Sequence, residues 1–179
     1  MSHWGRVGRL GVLMIVGTGL LGARDRTELP APPSATGPQE VRVISLLVDE
    51  RTHVPTIVLQ GKRDRRTFAM AIGPAEASGI AVPLQNVTPP RPLTHDLFLT
   101  LFGRLRVTVT KAIITDLRDS TYYATLYLFA NGNAMELDSR PSDAIALALR
   151  ARVPVFAEER VFEKSEQSVP VPSGPGPRI

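Results

Sequence analysis

The pattern of hydrophobic and polar residues predicts short strands over most of the chain, with three amphipathic helices between them. Alternating or continuous apolar runs predict strands at residues 41–48, 56–60, 67–72, 107–114, 122–129, 134–137 and 153–157. Helical spacing predicts helices over residues 75–81, after Thr94 and after Pro141. Successive strands joined by short turns favour antiparallel pairing. The sequence therefore predicts an α+β fold with a mostly antiparallel sheet of about seven strands and about three helices.

Individual residues predict where several of these elements begin and end. Asn131 and Gly132 form the strongest hairpin signal in the chain, between the fifth and sixth strands. Thr94 is expected to cap the second helix, and Pro83 is expected to end or kink the first. The last strand contains Pro154, which lacks a backbone N–H, so we expect that strand at an edge of the sheet.

The two ends of the chain have compositions unlike the middle. Residues 1–23 combine early arginines with an uncharged apolar run, which is typical of a signal peptide or an N-terminal membrane anchor. This predicts an exported or membrane-anchored protein, attached to the membrane through this segment if it is not cleaved. The alternatives are a buried helix and a cytoplasmic protein. Residues 24–40 are predicted to be a Pro-rich linker, 41–164 the folded domain and 165–179 a disordered tail.

The composition excludes several kinds of catalytic and metal site but does not identify a function. The chain has 179 residues, a formal net charge of +4 and no cysteine. The lack of cysteine excludes disulfides, cysteine-ligated zinc and thiol catalysis. The sequence also lacks the phosphate loop, the dinucleotide fingerprint, the Gly-x-Ser-x-Gly elbow and the His-Glu-x-x-His zinc motif. The mildly basic balance is compatible with a polyanionic partner.

Two stretches of the sequence are alike. Residues 91–96 and residues 139–143 each place Arg-Pro, a hydroxyl side chain and Asp at the start of a predicted helix. A helix start offers unpaired N–H groups and the positive end of the helix dipole, which suits phosphate. Arginine adds a permanently charged, forked donor. We therefore expect Arg91, Arg140 and Ser142 to bind phosphate.

The same stretches supply the candidate catalytic groups. Histidine exchanges protons near neutral pH, so His95 is a candidate general acid or base, with Asp96 and Asp143 orienting water. Asp138 and Asp143, together with Asp96, are also candidate ligands for a divalent cation such as Mg²⁺.

Each of these residues also has a purely structural alternative. His95 would then pack on Pro92 or bond a neighbouring backbone group, and Asp96 would only complement the helix dipole. Asp143 would complete a capping box and pair with Arg140. The two interpretations differ in one respect: catalysis requires the two helix starts to face each other across one open cleft.

At these motifs the chain resembles the bifunctional nuclease domain family. The matching segments are Ile72–Ala77, Arg91–Leu97, Tyr122–Ala124, Ser139–Ala148 and Val153–Val155, and the resemblance covers nearly all of residues 41–163. It implies an α+β domain that cleaves both RNA and DNA and assembles as a homo-oligomer. It does not imply which residues are catalytic.

The sequence thus favours a nuclease that hydrolyses phosphodiester bonds of RNA and DNA without sequence specificity. The alternative is a non-catalytic anion-binding or regulatory oligomeric module that uses the same arginine-lined helix starts. A third interpretation is a structural oligomer whose motifs only fix the helix corners.

Overall fold

A computed structural model describes residues 37–166 of the chain. The predicted targeting segment, most of the predicted linker and most of the predicted tail lie outside the described residues. The described elements, in chain order, are β1 (Gln39–Val48), β2 (Pro55–Gly61), β3 (Thr67–Ala71), α1 (Pro74–Leu84), α2 (Thr94–Arg104), β4 (Val107–Arg118), β5 (Thr121–Ala130), β6 (Asn133–Ser139), α3 (Pro141–Ala151), β7 (Val155–Ala157) and α4 (Glu159–Glu166). Within this range no helix has the length and apolar character needed to span a membrane.

The seven strands form one sheet in the order β3-β2-β1-β7-β4-β5-β6. The fold is α+β, but the prediction of a mostly antiparallel sheet with three helices is wrong. The sheet is mixed, because β7 pairs antiparallel with β1 and parallel with β4. The parallel pair arises because α3 carries the chain back from β6 to the middle of the sheet, and a helical crossover can bring a strand in parallel.

The fourth helix, α4, also departs from the prediction. Its eight residues bury only Val161, Phe162 and Ser165, so it lacks the long apolar stripe that marks a helix in sequence. Tertiary contacts hold it instead. The Phe162 ring meets Phe68 of β3 edge-on at 5.1 Å, and Lys164 Nζ donates to Asp116 Oδ1 of β4 at 2.6 Å.

Three local predictions about element ends also need correction. β7 is central rather than at an edge, because Pro154 precedes the strand and only its carbonyl is needed, accepting from the Ala112 N–H at 3.1 Å. Pro83 does not end α1, which continues to Leu84. Thr94 is the first residue of α2 and Leu93 occupies the capping position. The hairpin predicted at Asn131 is confirmed, since the two turn residues have φ values of 53° and 81° and join antiparallel strands.

Helix α3 is buried at the centre of the domain and sets the position of the site. It packs against α1, α2, β4 and β5. Five consecutive residues, Ala144 to Ala148, are buried, and three of them are alanines. Small side chains on every face let a helix approach several neighbours closely, which explains why α3 fits between the sheet and two other helices. The first turn of α3 therefore lies beside α1 and α2.

Candidate active site

The structure brings the starts of α2 and α3 together, so that His95 meets Asp143. The His95 Nε2 atom lies 3.2 Å from Asp143 Oδ1. The side chain of His95 is 13% exposed and that of Asp143 is 30% exposed, so both groups are sheltered but reachable from solvent. Because an ionised carboxylate only accepts hydrogen bonds, Nε2 is the donor in this contact, which leaves Nδ1 as the other ring nitrogen.

The His95 ring rests against α1 at a residue without a side chain. A Cβ atom added to Gly79 would lie 2.8 Å from His95 Cε1 and 3.0 Å from Nδ1, closer than real contacts allow. Glycine in the middle of a helix is normally unfavourable, by about 1 kcal/mol relative to alanine. Here it provides the space that lets the ring reach Asp143.

Arg140 fixes the carboxylate of Asp143 from the other side. Its Nε and Nη2 atoms donate to Asp143 Oδ2 and Oδ1 at 2.7 and 3.2 Å, and its Nη1 donates to Glu76 Oε1 at 2.7 Å. Burial raises the pKa of Asp143, but the hydrogen bonds from Arg140 and His95 outweigh it, so the pKa lies below its ordinary value. The bonds to Asp143 in turn raise the pKa of Arg140. The carboxylate is therefore ionised at neutral pH.

These groups border a cavity of about 530 Å³, called the first cavity below. Its walls come from α1, from the loop and first turn of α2, and from the start of α3. The lining residues are Ala75, Glu76, Ser78, Gly79, Pro92, Leu93, Thr94, His95, Arg140 and Asp143. The Nδ1 atom of His95 has no hydrogen-bond partner within residues 37–166.

Asp96, the neighbour of His95, belongs to a different arrangement. Its Oδ2 accepts from the Leu93 N–H at 2.9 Å, and its Oδ1 accepts from Arg150 Nε at 2.8 Å. Burial raises the pKa of Asp96, but these hydrogen bonds lower it by a larger amount, so the pKa lies below its ordinary value. Asp96 lines a separate cavity of about 370 Å³, together with Arg150, and is not a wall of the first cavity.

Arg150 connects the three helices that form the site. Its side chain is only 6% exposed. Besides bonding Asp96 of α2, its Nη1 donates to the carbonyls of Ala146 in α3 and Gly79 in α1. The Gly79 carbonyl would ordinarily accept from the N–H four residues later, but that residue is Pro83, which has none. Arg150 supplies the missing donor, which explains how α1 tolerates a proline in its last turn.

None of the remaining predicted residues lines the first cavity. Arg91 is exposed in the loop before α2, next to Pro92, which lines the cavity. Ser142 is buried and faces a neighbouring cavity on the far side of Arg140. Asp138 is exposed near the end of β6 and lines neither of these two cavities.

The donor set does not favour a divalent cation. Both oxygens of Asp143 already accept hydrogen bonds from Arg140, so a cation there would have to displace a guanidinium. The described part of the chain contains no group of three or more His, Cys, Asp or Glu side chains placed to hold a metal. Metal binding by Asp138 and Asp143 stays a prediction from the sequence.

Comparison with known proteins identifies the family. Residues 57–170, more than half of the chain, match the model of the bifunctional nuclease domain. The chain belongs to the bifunctional nuclease domain family. An uncharacterized protein of Mycobacterium tuberculosis is 37% identical over 131 residues, which cover 73% of this chain and 78% of that protein.

Plant members of the family are also similar to this chain. Bifunctional nuclease 1 of Oryza sativa subsp. indica is 35% identical over 95 residues, which cover 50% of this chain and 29% of the plant protein. Bifunctional nuclease 1 of Arabidopsis thaliana is 30% identical over 104 residues, covering 52% of this chain and 32% of the plant protein. The aligned part is therefore about a third of each plant protein.

Sequence reasoning did not assign a role to three residues of this site: Glu76, Gly79 and Arg150. Gly79 had a detectable signal, because a glycine inside a predicted helix usually has a packing reason. Glu76 is the third residue of α1 and resembles an ordinary first-turn acid. Arg150 lies in a run of helix-forming residues, and only the packing of α3 shows that its side chain is buried.

Proposed function

We propose that this chain is a nuclease that hydrolyses phosphodiester bonds of RNA and DNA without sequence specificity. The observation that carries the proposal is the His95–Asp143–Arg140 cluster on the wall of an open cavity. Membership of the bifunctional nuclease domain family and the names of the plant relatives support it. Homo-oligomer formation, and export or anchoring through residues 1–23, belong to the proposal as predictions from the sequence.

His95 is the proposed general base. With its Nε2–H donated to Asp143, the ring presents Nδ1, which takes a proton from a water molecule as that water attacks the phosphorus. A P–O bond to the leaving sugar oxygen breaks, and the protonated ring then returns the proton to that oxygen. Asp143 keeps the ring in the correct tautomer and stabilises its positive form. Water rather than a 2′-hydroxyl is the nucleophile, so the same step serves RNA and DNA.

Arg140 is the proposed ligand of the scissile phosphate. A guanidinium has five N–H donors, and three bonds to Asp143 and Glu76 use one hydrogen on each nitrogen. Two donors are left, and the side chain is 65% exposed. These donors can meet the charge that develops on the phosphate oxygens during the attack.

Arg91 is the proposed second phosphate contact, because the charge at the site requires one. Glu76 and Asp143 with Arg140 give two negative charges against one positive, a net charge of −1 that repels phosphate. Arg91 is exposed, directly precedes Pro92 of the first cavity in the chain, and has no ion-pair partner in residues 37–166. Its positive charge offsets this net charge of −1, and the proposed binding is therefore sensitive to salt.

Cleavage of end-labelled single-stranded RNA and DNA by the purified full-length chain tests the proposal. The wild type, His95→Gln and Asp143→Asn are purified identically and assayed with and without EDTA. Activity in the wild type that both folded variants lose supports the proposal. Equal activity in all three preparations indicates a contaminating nuclease, and salt-sensitive binding without cleavage supports the anion-binding module instead.

A further inference from the structure

A second cavity adjoins the first and shares two walls with it. It has a volume of about 290 Å³ and lies between α1, the β4–β5 turn and the start of α3. Glu76 and Arg140 border both cavities, so a ligand that contacts Arg140 in the first can extend directly into the second. The proposed hydrolysis uses only the first cavity and leaves the second unexplained.

A hydroxyl group open to the second cavity is available to bond a ligand. Ser142, in the first turn of α3, is 7% exposed and lines this cavity. Its hydroxyl makes no hydrogen bond within residues 37–166 and is not among the fully buried unpaired atoms there, so it is open to the cavity. A polar group of a bound molecule would satisfy it.

The wall of the second cavity also includes an aromatic ring, that of Tyr122, which other contacts hold in place. The Tyr122 hydroxyl donates to the Ala69 carbonyl at 3.0 Å, and its ring stacks on Phe68 with centroids 5.9 Å apart. Burial raises the pKa of Tyr122 to about 12, so the hydroxyl stays protonated and keeps donating. Ile72 and Pro141 add apolar surface. Apolar walls with a few placed hydroxyls are typical of sites for flat, polar organic molecules.

The charge and size of the second cavity restrict the ligand further. Its two charged wall residues, Glu76 and Arg140, form an ion pair with each other, so the cavity does not attract a second phosphate. Its volume lies at the low end of small-molecule pockets, about 300–1,000 Å³, which suits one nucleoside rather than an oligomer.

We propose that the second cavity binds the nucleoside next to the scissile phosphate. This inference rests on the proposed nuclease function and specifies its substrate. Arg140 holds the phosphate at the boundary of the two cavities, the base lies against Tyr122, and Ser142 bonds the base or the sugar. A base in this cavity cannot be paired, and a duplex would lose free energy by extruding it, so single-stranded nucleic acid is the preferred substrate.

Binding to the full-length chain, followed by amide NMR shifts, tests the assignment without relying on cleavage. The probes are adenosine 5′-monophosphate and ribose 5-phosphate, which differ by the base. We expect the nucleotide to shift the amide signals of residues 120–122 and Ser142. We also expect it to bind about tenfold more tightly than the sugar phosphate, as for one base against one aromatic ring.

Two matched variants assign the binding to one cavity. Ala71 and Ala75 are both exposed, but Ala71 lines the second cavity and Ala75 the first. Ala71→Trp should abolish the preference for the nucleotide over ribose 5-phosphate, whereas Ala75→Trp should preserve it. The same full-length protein should cleave a single-stranded oligonucleotide at least tenfold faster than the matching duplex.

The outcomes separate this inference from the proposed function. Cleavage of RNA by the wild type with nucleotide shifts confined to residues 93–95 overturns the second-cavity assignment and leaves the nuclease proposal intact. Equal binding of the two probes, or an intact preference in Ala71→Trp, also overturns it. Shifts at residues 120–122 in a protein that cleaves nothing support a nucleoside site and refute the hydrolysis.

Discussion

Replacing Gly79 with alanine should reduce cleavage while leaving the fold intact. The new Cβ would lie 2.8 Å from His95 Cε1 and 3.0 Å from Nδ1, whereas ordinary carbon contacts need about 3.5 Å or more. The ring must therefore move by about 0.7 Å to restore that contact. The bond from Nε2 to Asp143 is already 3.2 Å long, so a lengthening of about 0.3 Å takes it past the range of a hydrogen bond.

The magnitude of the effect follows from this displacement. A misplacement of about 1 Å in a catalytic group costs about a hundredfold in rate, so we expect a loss of that order in kcat for single-stranded RNA. The free energy of unfolding should change little. Alanine is about 1 kcal/mol better than glycine inside a helix, which offsets the strain of moving the ring.

Gly103 in α2 provides the matched control. A Cβ atom there meets nothing within 4 Å, so Gly103→Ala makes the same chemical change on a helix without touching His95. Steady-state cleavage and thermal unfolding of the wild type and both variants complete the assay. Equal activity in the Gly79 and Gly103 variants would refute the argument that contact with Gly79 positions the ring.

Three other predictions concern charge. Asp143→Asn keeps the size of the side chain but removes the charge that holds His95, so the rate of cleavage should fall about a hundredfold or more. The melting temperature should stay similar. Undiminished cleavage would contradict the role of Asp143. The hydrogen bond from Lys164 lowers the pKa of Asp116 from 3.8 to about 2. This carboxylate therefore stabilises the fold fully above pH 3.8, and its contribution is lost as the pH falls through about 2. Urea unfolding at each pH should show this loss in the wild type and a smaller one in Asp116→Asn, and identical profiles would exclude it. Arg91→Gln should reduce the slope of log affinity against log salt for single-stranded RNA by about 0.7, and an unchanged slope means that Arg91 contacts no phosphate.

The sequence predicted the individual strands and turns because their formation depends on residues that are close together in the chain. Alternation along a strand and the requirement for positive φ at Asn131 and Gly132 depend only on residues close in the chain. The family resemblance came from contiguous motifs as well, and the match to residues 57–170 shows that family. The same local reasoning failed for α4, because this helix is held by contacts with Phe68 and Asp116, which are distant in sequence.

The arrangement of the sheet could not be obtained in this way. A short strand next to a proline is expected at the edge of a sheet, yet β7 lies between β1 and β4. The position of β7 in the sheet depends on where α3 ends, and α3 is itself positioned by packing against four other elements. Such packing depends on contacts between segments that are far apart in sequence, which no local pattern records.

The candidate site divides in the same manner. The sequence determined which chemical groups stand at the two helix starts, because cap positions and residue types are local properties. Only the tertiary structure decided that His95 meets Asp143, 48 residues away, while its neighbour Asp96 turns to Arg150. Adjacent residues on a helix point in directions about 100° apart, so which of them enters the cavity depends on how α2 is rotated against α1 and α3. That rotation is held by Gly79, which admits the ring, and by Arg150, which bonds all three helices.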